Sequence, residues 1–183
     1  MSDQGRLIKV LVSLLISMTV GAVVLMVLHG NPPSAGPFCL SSYYRLNPVK
    51  DAVSSRVGQS PERWNCIEIY YSNTSAGNVK QLASLGGLKE ADDINCHFVV
   101  CNGLGGEDGQ IEATERWQRQ WSAIPDRTWY GSGRTVRICV IADDRESLPT
   151  DFQISRVEDL VEQLSRNFNI SVNSTFYPAD WHL

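Results

Sequence analysis

Thr135-Val136-Arg137-Ile138-Cys139-Val140-Ile141 is the most β-rich run in the chain, and its reading decides the fold. Val, Ile and Thr suit a pleated, packed surface, so the run is expected at the centre of a sheet. Downstream, Pro149-Thr150-Asp151-Phe152-Gln153 has the Thr-x-x-Gln spacing of a capping box, in which the two side chains satisfy amides at a helix start. The helix it opens carries Val157, Leu160, Val161, Leu164 and Phe168 on one face, with Glu158, Asp159, Glu162, Gln163 and Arg166 opposite. Upstream, Cys66 to Tyr71 alternates as a strand, Cys96 to Val100 reads as a second, and Gln110 to Thr114 as a third, reached through Asp108-Gly109. Asn78 to Leu85 suits a short helix closed by Gly86-Gly87, with Val79, Leu82, Ala83 and Leu85 on its inner side. Strands separated by helices predict an α/β fold, a mixed β-sheet with packed helices.

The N-terminal part has a different composition. Val10 to Leu28 is an uncharged apolar run of 19 residues, which as a helix spans about 28 Å, close to a hydrocarbon core. Arg6 and Lys9 precede it and Lys or Arg next occurs at Arg45. The positive-inside rule therefore places residues 1–9 in the cytoplasm, makes 10–28 a transmembrane anchor and exports the rest. The competing reading is a cleaved secretory signal cut near Ser34-Ala35-Gly36; a signal core of about 7 to 15 residues is shorter than this run, which favours an uncleaved anchor. Residues 29–61 carry Pro32, Pro33, Pro37, Pro48 and Pro61 and read as a linker.

The whole chain has 16 Lys+Arg against 20 Asp+Glu, and the exported part is more acidic still. No basic excess exists to neutralise phosphates, so a nucleic-acid partner is not expected. The cysteines, Cys39, Cys66, Cys96, Cys101 and Cys139, are odd in number and lack CxxC spacing. A zinc ribbon is disfavoured, and at least one thiol is free or pairs between molecules.

The order of the pieces from Trp64 onward resembles the zinc-dependent N-acetylmuramoyl-L-alanine amidases that share a fold with peptidoglycan recognition proteins. The resemblance lies in Trp64 with the strand ending Tyr70-Tyr71-Ser72, in Cys96-His97-Phe98-Val99-Val100-Cys101-Asn102-Gly103, in Asp108-Gly109-Gln110-Ile111-Glu112 with Trp117, in Arg137-Ile138-Cys139-Val140-Ile141-Ala142, and in Pro149-Thr150 with Gln153. It implies an amidase-like domain over 62–183 and, in the family, zinc held by two His and one Cys or Asp with a fourth position open to water. Here the first ligand position falls on Tyr70, the second on Pro178, and the third lies past Leu183. The tyrosine that assists the reaction in some members falls on Cys96. No cofactor is therefore expected, and no metal ligand or catalytic residue is assigned.

By the same resemblance, Tyr70, Cys96, Asn102 and Trp121 are the candidate ligand-binding residues, and Trp117, Trp129 and Tyr130 lie in the region that lines the family's groove. Core packing is the competing reading of each aromatic residue. His97 is expected to pack or hydrogen-bond within the sheet, sharing parity with Cys101 and opposed to Cys96. The cysteines themselves read most simply as buried apolar groups or a disulfide. Asp143-Asp144 reads as a solvated loop; Asn73, Asn169 and Asn173 open N-x-[ST] sequons. A membrane-anchored, exported domain is expected, which binds peptidoglycan fragments or an envelope protein without hydrolysis. An active amidase with an unusual metal site and an envelope scaffold are the alternatives.

Overall fold

The computed structural model describes residues 9, 11–19, 46–88, 90, 93–123, 133–143 and 147–181. The chain divides into two units, 1–43 and 44–183. In the first, residues 11–19 are helical. Among the described residues no helix is long and apolar enough to cross a membrane, and the rest of the 10–28 run lies outside them.

The second unit holds an α/β fold built on a mixed five-stranded sheet. In chain order its elements are α1 (Val49–Val53), β1 (Cys66–Tyr71), α2 (Val79–Leu85), β2 (Phe98–Val100), β3 (Ile111–Ala113), α3 (Glu115–Gln118), β4 (Thr135–Val140), α4 (Asp151–Phe168) and β5 (Thr175–Phe176). The strand order is β3-β2-β4-β1-β5. The TVRICV run is central as expected: β4 pairs in parallel with β1 over six residues and with β2 over three. The hairpin partner β3 runs antiparallel to β2, and β5 adds a short parallel edge beside β1.

The two faces of the sheet bury different material. Ile67, Ile69, Phe98, Val100, Val136, Ile138 and Val140 face α1 and α4, where Val157, Leu160, Leu164 and Phe168 supply the opposing stripe. Val99, Cys101, Cys139 and Ile141 face α2 with Ile94 and Cys96, and Tyr70, Val79 and Leu82 complete that smaller cluster. Leu85 departs from the helical reading of α2. It is 70% exposed, because the amphipathic stripe of this short helix is filled by Ala83, Val79 and Leu82 nearer the sheet.

The N-terminus of α4 is fixed by polar contacts. Gln153 NH donates to the Thr150 hydroxyl and Thr150 NH to Gln153 Oε1, both at 3.0 Å, completing the capping box. Gln153 Nε2 also donates to the carbonyls of Val100 and Ile141, each at 3.0 Å. One buried carboxamide thus ties the helix start to the ends of β2 and β4. A turn further on, buried Arg156 donates to Gly109 O and Asn47 O. Gly109 sits at φ 71°, where a Cβ would stand 2.8 Å from Phe152, so glycine suits both the turn and the close approach of α4.

Residues 46–61 do not behave as linker. Leu46 and Val53 are buried, Asn47 O accepts from Arg156, and Val53 O accepts from Trp117 Nε1 at 3.0 Å. Pro48 precedes the first turn of α1, so the proline that looked like linker composition opens a helix of the domain. The rest of the expected linker, to residue 45, is outside the described residues.

β2 starts two residues later than the sequence predicts, where a side chain interrupts the ladder. His97 NH donates to Arg137 O and Arg137 NH donates to His97 Nδ1, both at 2.8 Å, so the imidazole replaces a main-chain acceptor in the ladder. The Cys96 carbonyl is taken up instead by the Thr114 hydroxyl at 2.8 Å. This breaks the alternation. His97 and Phe98 both face Trp117, while Cys96 lies with Val99, Cys101 and Cys139. His97 and Cys101 therefore do not share a face, contrary to the strict period of two.

Replacing Gln153 by Leu keeps the volume but leaves the Val100 and Ile141 carbonyls without this donor and opens the cap. Urea unfolding is expected to show a loss of about 3 kcal/mol. A loss below about 1 kcal/mol would mean that the carboxamide does not anchor the helix.

Candidate functional site

The chemically distinctive region is the α2 side of the paired strands β1 and β4. Their register sets Glu68 beside Arg137 and Tyr70 beside Cys139. Alternation points all four to the same side as Val99 and Ile141. Arg137 Nε meets Glu68 Oε2 at 2.7 Å, and its guanidinium carbon lies 4.5 Å from the centre of the Tyr70 ring. Arg137 also donates to Asn95 O at 3.1 Å, joining the loop before β2 to the strip.

Tyr70 packs against the buried cluster that holds Cys96 and Cys139. Burial, followed by the neighbouring sulfurs of Cys96 and Cys139, pushes the phenol far above its ordinary range, so Tyr70 keeps its proton in this cluster. The neighbouring Cys139, then burial, raises the Cys96 thiol, while Cys139 is lowered chiefly by Cys96, against burial, with help from Tyr70 and Arg137. Cys101, in the same apolar cluster, is pushed up to about 12 by burial first and then by Glu112. Cys66, Cys96, Cys101 and Cys139 are all free thiols. Cys39 lies outside the described residues.

The C-terminal segment arrives beside this strip. β5 pairs with β1 through Ile67 with Thr175 and Glu68 with Phe176. On the opposite face, Tyr71 stacks with Trp181 at 6.4 Å between ring centres, and Trp181 lies 5.7 Å from Tyr177. Burial, then the Asp180 carboxylate, raises the Tyr71 phenol to about 12.

Tyr70 and Cys96 are thus brought together, whereas Asn102 and Trp121 have separate partners. Asn102 Nδ2 donates to Ser75 O at 2.8 Å and its Oδ1 accepts from Leu104 NH, tying the loops after β1 and β2. Trp121 is half-buried under the Arg119 guanidinium, 4.7 Å from its ring, and its carbonyl accepts from His97 Nε2 at 2.9 Å. Trp117 is core, packed among Trp64, His97, Phe98 and Phe168. Trp129, Tyr130, Asp144 and His182 fall outside the described residues. Arg137 and Glu68 are neighbours of Tyr70 that single-strand reading passes over; their shared parity with Tyr70 and Cys139 is visible in the two runs, but the pairing of the strands is not.

His97 is a structural clasp. Its Nδ1 accepts a main-chain N–H, so the proton is on Nε2, which donates to Trp121 O. Complete burial, with minor repulsion from Arg116, Arg63 and Arg137, lowers its pKa to about 3 against the support of the Trp121 carbonyl. Among the described residues no group of three His, Cys, Asp or Glu side chains is placed to hold a metal ion. No family model, curated protein or solved structure matches the chain.

The neutral state of His97 sets a pH dependence. Unfolded chains bind a proton near pH 6.5 that the native state refuses until about pH 3, so this contribution is full above pH 6.5 and drains as the pH falls toward 3. His97→Gln is expected to be less stable than the unaltered chain at pH 7, with the gap narrowing by pH 4.5 in urea unfolding. A gap that stays constant would contradict the assignment.

Proposed function

We propose that this is a membrane-anchored, exported protein of amidase-like fold that binds peptidoglycan or its muropeptide fragments without hydrolysing them. The observation that carries the reading is the pair of residues at the positions where the family resemblance places its first two zinc ligands, a tyrosine at Tyr70 and a proline at Pro178. They are distant in sequence, and the pairing of Ile67 with Thr175 and Glu68 with Phe176 puts the C-terminal segment at the sheet edge beside the strand that carries Tyr70. A proline has no side-chain donor, and Tyr70 packs against a buried cluster of apolar side chains and thiols, beneath Arg137. Chemistry at this place rests on hydrogen bonding and shape instead of Lewis acidity.

Binding can outlast catalysis because it uses the walls of a groove and not its metal. The half-exposed Glu68 and Arg137 offer an acceptor and a donor beside Tyr70, which suit the amide and carboxylate groups of a peptide stem. The exported placement follows from the apolar run 10–28 and its flanking charges, and the acidic domain has no general attraction for nucleic acid. One observation favours a scaffold role: Tyr70 and Tyr71 already occupy space at the end of β1, Tyr71 stacked on Trp181.

The test is retention of the detergent-solubilised full chain on purified peptidoglycan, with and without chelator. Retention above a control protein, unchanged by chelator, is expected. No retention would replace the binder by the scaffold, and zinc-dependent release of peptide stems would replace it by an amidase.

A further inference from the structure

We propose that Glu68 and Arg137 form a subsite for a primary carboxamide, the group carried by a peptide stem that is amidated at a carboxyl; the inference rests on the stem-binding reading above. The subsite lies on the part of the sheet that α2 leaves open. Val79 and Leu82 of α2 pack over the cluster of Tyr70 and Val99. One row earlier, the strand registers set Phe176, Glu68 and Arg137 side by side on β5, β1 and β4, at about 4.8 Å from strand to strand. All three reach solvent: Phe176 is 57% exposed, and the side chains of Glu68 and Arg137 are 43% and 26% exposed.

Three contacts fix the guanidinium. Nε donates to Glu68 Oε2 at 2.7 Å, Nη1 donates to Asn95 O at 3.1 Å, and the guanidinium carbon stands over the Tyr70 ring, 4.5 Å from its centre. Nε and Nη2 share one edge of the planar group, and an arginine can meet a carboxylate through two parallel N–H···O bonds along such an edge. Here only one of the two is made: among the described residues Nη2 donates to no acceptor and Glu68 Oε1 accepts from no donor. An ion pair that is already neutral thus keeps one donor and one acceptor for a ligand. A primary carboxamide matches them, because one of its N–H bonds points to the same side as its carbonyl; the N–H turns to Oε1 and the carbonyl to Nη2. A carboxylate offers two acceptors and sets one against Oε1. A secondary amide is trans and turns its N–H away from its carbonyl. The exposed Phe176 ring beside Glu68 gives an apolar shelf for the carbon chain that bears the amide.

The test measures retention of the detergent-solubilised full chain on three forms of one purified peptidoglycan: with its free carboxylates, with these converted to primary amides by carbodiimide and excess ammonium, and with these converted to N-methylamides by carbodiimide and methylamine. The two amidated forms carry the same charge, so the acidity of the chain acts on both alike. Binding to the primary amide is expected to be about tenfold tighter than to the N-methylamide or the free acid. Glu68→Ala is expected to abolish this preference and to tighten binding to the free acid, which loss of a merely structural ion pair would not do. The ratio on the unaltered chain decides the matter even where the variant fails to fold. Retention on all three forms with no preference for the primary amide, or a preference that survives in Glu68→Ala, would overturn this inference and leave stem binding standing. Retention on none of them would overturn stem binding itself, and this inference with it.

Discussion

The fully buried carboxamide of Gln153 is the contact on which the rest of this domain depends. A helix start carries orphan N–H groups and the end of a strand carries carbonyls that its neighbours no longer reach. Gln153 meets both needs at once, accepting from Thr150 NH and donating to Val100 O and Ile141 O. With the position of α4 set in this way, its apolar stripe closes over β1, β2 and β4, and Arg156 draws in the segment at Asn47 and the turn at Gly109. The same helix then delivers the chain, through the left-handed Asn169 at its C-terminus, to β5 at the far edge of the sheet.

That delivery creates the candidate site. With β5 beside β1, the C-terminal segment reaches the edge of the strand that carries Glu68 and Tyr70, which lie beside Arg137 and Cys139 of β4. The clasp at His97 contributes from the other side of the sheet. By standing in for a main-chain acceptor it delays β2 and turns Cys96 toward Cys139.

Much of the fold was legible in the sequence because the signals were local. The strand Cys66–Tyr71, the box at Thr150 and Gln153, and the stripe from Val157 to Phe168 each declare themselves within a few residues. The central position of Thr135–Val140 followed from its composition. What was illegible depended on distant partners. Pro48 reads as linker unless Arg156 and Trp117 are known to take hold of Asn47 and Val53. The parity of Cys96 and Cys101 depends on an interruption of the ladder where Thr114 takes the Cys96 carbonyl, and β5 is only two residues long. The pairing of Glu68 with Arg137 required the register of two strands separated by more than sixty residues. Of the four residues singled out for the site, Tyr70 and Cys96 pack in one cluster, whereas the loop contacts of Asn102 and the His97 contact of Trp121 depend on distant partners that the sequence does not declare.

The central claim is that the domain, with Tyr70 and Pro178 at the positions the resemblance gives to zinc ligands, works without a metal. Zinc stoichiometry tests it most directly: the purified full chain is incubated with excess zinc, dialysed exhaustively and analysed for bound metal. The account predicts a value near zero per chain. One tightly held zinc per chain would contradict it and return the site to the hydrolases.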